Sequence, residues 1–529
     1  MRNTPGSTLR RIRAAAGVAA ALGTLAFRAA PASAQAAASD EARTARYMAA
    51  VRGSTPQLTA FLREMPKGGD LHMHLSGAVY AETYIRWASE GNLCVRTASM
   101  SLTGPVPCDT AAGLVPAASA LRSSTLYGQL IDAWSMRNWN AARKNGHDQF
   151  FDTFGKFGAA TDGRTGDMVA EVAQRAAMGH VSYVELMYTP DDGGVAGLGG
   201  RVGWDADFGR MRQKLLDAGL RDTLVKAGAS LAAAEARERQ LLRCGAADAD
   251  PGCGVTVRWL YQVSRGRAPE QVFAQILAGF EMQGSDPRVV GFNLVQPEDA
   301  LVPMRDFTLQ MRMIDYLHRL YPQAHVTLHA GELAPGLVPP EGLRFHIRQS
   351  VELGHAARIG HGVDVMNEER APELLREMRD RNVMVEIALT SNYGILGVSG
   401  RDHPLHAYLA AGVPVALATD DEGVARSEMT MEYLRAVQDQ GIDYPTLKRM
   451  ARTSLEHAFV QGASLWRDGR TFAPAAACAP AAGGFEGAAC VQLAAGSPKA
   501  DLQRRLELSF RQFERRWGAM EIPREPVRN

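Results

Sequence analysis

The 529-residue chain is 46% hydrophobic and carries a formal net charge of +1. That is ample sequence for one large barrel or for two to three smaller domains. A charge near zero, without acidic or basic runs, argues against nucleic acid or an anionic membrane as the main partner.

In chain order, the first feature is a leader. Arg2, Arg10, Arg11 and Arg13 precede the uncharged run "AAAGVAAALGTLAF", and Ala32-Ser33-Ala34 follows. This is the three-part layout of a cleaved signal, residues 1–34, and the apolar run is too short to span a bilayer. The mature protein is expected to be soluble and secreted or periplasmic. Export through the Sec or the twin-arginine route stays open.

Residues 35–64 form an N-terminal segment in which apolar residues recur at helical spacing. Eight short apolar runs follow: "GDLHMHL", "VSYVELMY", "VTVRWLYQV", "RVVGFNLV", "HVTLHA", "ARIGHG", "VMVEIAL" and "VPVALATD". Amphipathic stretches separate most of them. Alternating strand and helix predicts α/β architecture with a parallel sheet, and eight units predict a (β/α)8 TIM-type barrel over 65–465. No nucleotide-binding glycine motif follows any strand. Residues 91–125, 190–205 and 467–500 read as additions, the second glycine-rich and expected to be mobile. Residues 466–529 close the chain as a loop and a helix.

Six cysteines fall into three local pairs in segments that read as loops. In an exported chain they suggest the disulfides Cys94–Cys108, Cys244–Cys253 and Cys478–Cys490, with free thiols as the alternative.

The chemistry gathers at strand ends. His72 and His74 share one face of strand 1, because a strand repeats every two residues. His329 ends strand 5 in "HAGE", His361 ends strand 6 in "GHG", and Asp420-Asp421 ends strand 8. In a (β/α)8 barrel these ends meet at one face. Imidazoles and a carboxylate converging there suit a first-row metal, zinc most naturally. Singly, a strand-end histidine is more often structural, and Asp-Asp after a strand is more often a helix cap. Glu332, three residues after His329, can reach the same cavity as a proton shuttle. His361 can orient or deprotonate a water. A carboxylic acid protonating a ring nitrogen while water attacks the neighbouring carbon would fit hydrolytic deamination of a purine.

"MPKGGDLHMHLSGAVYAETYI", "YVELMYTP", "LHAGE", "RIGHG", "LTSN" and "HPLHAYLAAGVPVALATDDE" together resemble the adenosine deaminase family of the metal-dependent amidohydrolase superfamily. The resemblance runs from about residue 65 to residue 460. The leader, the paired cysteines and "HDQFFDTFGKFG" are most similar to its secreted, growth-factor-related branch. It implies one zinc ion per chain on His72, His74, His329 and Asp420. It further implies Glu332 as proton donor to the purine, His361 acting on water, and Asp421 hydrogen-bonding the second purine ring. Ser76, Gly77 and Gln296 fall at substrate-binding positions. Many members carry aspartate where Ser76 stands, and D-L-x-G where Asn293-Leu294-Val295-Gln296 stands. Adenosine, an adenine nucleotide and another aminopurine therefore remain open as substrate, and a homodimer stays open as assembly. Two other readings stand beside this one: an amidohydrolase acting on a different C–N bond, and an extracellular nucleoside-binding or signalling module. Glu185 reads as an ion-pair partner. Trp134, Trp139 and the run Phe150, Phe151, Phe154 and Phe157 read as core or lid packing.

Overall fold

The computed structural model of the chain describes residues 39–522, so the leader and its cleavage site lie outside the described residues. All eight apolar runs are strands: β1 Gly68–His74, β2 Val181–Tyr188, β3 Thr256–Ser264, β4 Val289–Val295, β5 Thr327–Ala330, β6 Arg358–His361, β7 Met384–Ile387 and β8 Val415–Leu417. β1 to β4 pair in order in one parallel sheet and β5 to β8 in another. A parallel bridge between Phe292 and Val326 joins β4 to β5, and another between Met73 and Asp420 joins β8 back to β1. The two half-sheets thus close into a (β/α)8 barrel. Their strands are buried almost throughout, as parallel strands covered by helices must be.

The helices that matter below are α1 Asp40–Val51, α2 Thr55–Glu64, α3 Gly146–Phe157, α4 Gly194–Val202, α5 Pro269–Ser285, α6 Leu301–Leu320, α7 Tyr444–His457 and α8 Pro498–Gly518. The N-terminal pair packs on the last helix. Tyr47 meets Trp517 with ring centroids 5.0 Å apart, and Phe61 meets Phe513 at 5.0 Å. Among the described residues no helix is long and apolar enough to cross a membrane.

The structure alters three expectations. Residues 190–205 are not a mobile loop, because Gly194–Val202 is the helix α4. Val195, Ala196 and Leu198 bury one face of it against the barrel layer, which outweighs its glycine content. The cysteines are not confined to loops. Cys94 lies in the strand Leu93–Arg96 of a three-stranded antiparallel sheet that fills the 91–125 insertion, and Cys490 lies in the helix Ala488–Ala495. All three expected pairs are disulfides, with Cα–Cα distances of 5.7, 5.5 and 4.6 Å. Finally, the phenylalanine run divides. Phe157 stacks on Tyr84 in the core, whereas Phe150, Phe151 and Phe154 line the cavity described next.

Candidate active site

The C-terminal ends of the strands open into a cavity of about 300 Å³. His74, Ser76, Gln296, His329, Glu332, His361, Asp420 and Asp421 line it, with the three phenylalanines of α3 on one side. His72 lies just beneath, fully buried. One ligand atom from each of His72, His74, His329 and Asp420 lies within 4.8 Å of the others. The expected metal quartet therefore comes together in space.

Each histidine of the quartet has its Nδ1 committed elsewhere. His72 Nδ1 meets Glu386 Oε2 at 2.7 Å, His74 Nδ1 meets Gln262 Oε1 at 3.1 Å, and His329 Nδ1 meets Asn293 Oδ1 at 2.9 Å. Those oxygens are acceptors, so the imidazole protons sit on Nδ1 and the three Nε2 lone pairs turn inward. His74 Nε2 and His329 Nε2 stand 3.1 Å apart with no proton between them. His72 Nε2 is buried with no hydrogen-bond partner. Converging lone pairs in a buried site are costly without a cation, so the donor set fits a metal ion. Asp420 supplies the carboxylate, its Oδ1 3.4 Å from His74 Nε2, while Ser391 Oγ donates to its Oδ2 at 2.7 Å.

His361 is built the other way round. The backbone N–H of Leu405 donates to His403 Nδ1 at 3.1 Å, which leaves His403 Nε2 to donate to Asn392 Oδ1 at 3.0 Å. The Asn392 amide then donates to His361 Nδ1 at 3.0 Å. His361 therefore carries its proton on Nε2, the atom 3.7 Å from Glu332 Oε1. Burial holds His361 neutral, its pKa lowered to about 3. Burial and the nearby Asp420 and Glu298 charges push Glu332 well above the usual carboxylate range, which favours its protonated form. Burial and Asp420 raise Asp421 as well.

Several supporting residues escaped the sequence reading. Glu298 accepts from the backbone N–H of Gly331 at 3.1 Å and of Glu332 at 2.9 Å, and pairs with His346 Nδ1 at 2.5 Å, which fixes the turn after β5. Arg358 fills the barrel interior. It donates to Glu386 at 2.6 Å and to Glu185 at 2.5 Å, so Glu185 is an ion-pair partner as expected and lies below the site. Asp70, two residues before His72 on the same strand face, accepts from the backbone of Thr419 at 3.2 Å. Asp70, Glu185, Arg358 and Glu386 sit at strand positions where hydrophobic periodicity says nothing about partners across the barrel, and Glu298 and His346 lie outside the strands.

The substrate-side residues also have definite places. Gly77 has no alternative, since a methyl group built on it would fall 1.5 Å from Asp421 Oδ1. Asn293, expected as a departure, still offers its Oδ1 to both the backbone N–H and Nδ1 of His329, each at 2.9 Å. Gln296 has a left-handed backbone, φ 90°, normally a glycine conformation. Its Oε1 accepts from Gly266 N–H at 2.7 Å, tying the side chain to the cavity rim. Its own N–H has no partner among the described residues.

The family model for adenosine deaminase matches residues 135–464, more than half of the chain. The chain is 28% identical to an adenine deaminase of Sinorhizobium medicae, over 53% of this chain and 69% of that protein. It is 33% identical to an adenosine deaminase of Clostridium perfringens, over 25% of this chain and 37% of that one. An adenine deaminase of Chelativorans is 31% identical over 41% of this chain and 61% of its own length. In the last two, the match spans less than two thirds of the relative. Among solved structures, an N6-methyl-AMP deaminase from Arabidopsis thaliana is 19% identical, with TM-score 0.46, over 76% of this chain and 94% of that one. A Burkholderia ambifaria amidohydrolase with bound zinc is 17% identical, with TM-score 0.46, over 76% and 88%. The chain belongs to the adenosine deaminase family.

Proposed function

We propose that this family member hydrolytically deaminates a neutral aminopurine, adenosine or a close relative, using one zinc ion on His72, His74, His329 and Asp420. The observation that carries the reading is the contrast in proton placement. Three histidines present bare Nε2 atoms to Asp420, while Glu332 and His361 present protons to the same cavity. A zinc ion in the quartet would supply an acidified water at neutral pH. The remaining chemistry belongs to the chain. Glu332, held protonated by burial, donates to the ring nitrogen next to the attacked carbon. His361 directs its Nε2 proton at the oxygen on which charge develops. Asp421 hydrogen-bonds the second purine ring. The phenylalanines of α3 exclude water from the closed cavity.

The cavity also bears on the substrate. Glu332, Asp420 and Asp421 line it, and among the described residues no lysine or arginine does. A phosphate group would meet carboxylates without a matching cation, so a nucleoside or free base is favoured over a nucleotide. Three disulfides support action in an oxidising compartment, in keeping with the expected leader.

Purified protein with measured zinc content, offered adenosine, deoxyadenosine, adenine and AMP, tests both levels. The expected result is ammonia release with loss of the purine absorbance, kcat/KM for the best neutral substrate exceeding that for AMP by about a hundredfold. Equal turnover of AMP would overturn the substrate reading. Inactivity on every aminopurine, with hydrolysis of an amide or lactone, would overturn the reaction.

A further inference from the structure

The opposite end of the barrel holds a second cavity, of about 610 Å³, at the N-terminal ends of β5, β6 and β7. Six bases line it: His318 from α6, His325 before β5, His355 before β6, Arg381 before β7, His457 at the end of α7 and Lys499 near the start of α8. The one acid on its wall among the described residues is Glu456. That carboxylate is already engaged, accepting from Ser464 Oγ at 2.6 Å and from Gln503 Nε2 at 2.7 Å.

Four of the bases, by contrast, are under-used, whereas Arg381 pairs with Glu377 at 2.8 Å and donates to the Val351 carbonyl at 3.2 Å. The rings of His318, His325 and His457 make no hydrogen bond among the described residues. Lys499 Nζ gives one of its three donors to the Glu456 carbonyl at 2.8 Å, and the other two have no partner there. The wall itself is fixed. Arg358 donates to the His457 carbonyl at 2.9 Å and lies 3.7 Å above the Phe459 ring, against which His325 stacks at 4.6 Å. His318 and His355 stack at 4.1 Å, and Asp315 holds His355 Nε2 at 2.9 Å. Burial comes first in lowering the pKa of His325, His457 and Lys499; neighbouring cations add to it, while Glu185 opposes it at His325 and Glu456 and Glu185 oppose it at Lys499. His318, His325, His457 and Lys499 thus have no carboxylate hydrogen-bond partner among the described residues.

We infer that this floor cavity is a binding site for a phosphate-class oxyanion, with Lys499 and Arg381 supplying charge and the free imidazoles supplying N–H donors. The donors come from five separate segments held by packing, so they are preorganised rather than gathered by the ligand. No residue of the catalytic cavity takes part, and the site is independent of the deaminase reading.

Isothermal titration of the full chain with inorganic phosphate, and separately with ribose 5-phosphate, tests this. A variant with a disabled mouth, His74→Ala, is titrated alongside. The expected result is one saturable phosphate site per chain that survives His74→Ala. Arg381→Gln and Lys499→Gln should each weaken it about tenfold. Arg381 is exposed, so its variant keeps the test open if Lys499→Gln misfolds. Tighter binding of ribose 5-phosphate than of phosphate would mark an esterified ligand, and the reverse would mark the free anion. Absence of saturable binding, or binding lost in His74→Ala and retained in Arg381→Gln, would overturn the site.

Discussion

At the mouth of the barrel, three carboxylates and four imidazoles surround a cavity with no lysine or arginine on its wall among the described residues. At the floor, six bases face one engaged glutamate. The same strands serve both ends. His325 and His329 stand at opposite ends of the run "HVTLHA", and His355 and His361 flank β6 in the same way. A strand advances about 3.3 Å per residue, so a shift of four residues carries an imidazole from one end of the barrel to the other. What a histidine can do here is decided by the end at which its strand leaves it and by what pins its Nδ1.

The largest effect that would sharpen this contrast is at the mouth. Glu332→Gln keeps the shape and removes the transferable proton, so kcat should fall about a thousandfold with zinc content unchanged. The floor variant Lys499→Gln should leave kcat at the parent value. A comparable loss in both variants would erase the distinction between the ends. Next comes the proton on His361. Asn392→Asp places an acceptor against His361 Nδ1 and reverses the tautomer, for an expected loss of about a hundredfold in kcat, measured with zinc retained. Activity equal to the parent enzyme would show that the proton's position does not matter.

A smaller effect belongs to the barrel interior. Glu386→Gln weakens the hold on His72 and frees one arm of Arg358, so zinc affinity should drop about tenfold or more in a competition with a chelator. The smallest effect is in pH. Buried Glu298 is driven up by desolvation but held down to about 2 by His346 and Arg265 and by the backbone N–H of Gly331. Its folded pKa lies below the ordinary value, so its contribution is complete above about pH 4.5 and is lost as pH falls toward 2. Melting curves across that window should decline more steeply for the parent protein than for Glu298→Gln.

Much of this was readable from the sequence. Eight apolar runs fixed the strand count, because buried parallel strands leave little choice of composition. The two-residue period placed His72 and His74 together, and the rule that barrel sites form at strand C-termini gathered His329, His361 and Asp420. Partners that cross the barrel were not readable. Glu386 and Arg358 sit in runs that look purely structural, and only closure of the barrel brings them to His72 and Glu185. The helix α4 was hidden by its glycines, whose conformational cost is offset by burial of Val195 and Leu198. The path from Leu405 through His403 and Asn392 to His361 joins residues whose ordering depends on a turn no periodicity describes.

The three disulfides close loops of 14, 9 and 12 residues, and none joins two strands of the barrel. Each stitches a trimming to itself. Reduction should therefore loosen the inserted sheet and the C-terminal segment while the strands that carry the chemistry stay in register. Recombinant protein made in a reducing cytoplasm would then be expected to deaminate its substrate yet yield sooner to proteases at its margins.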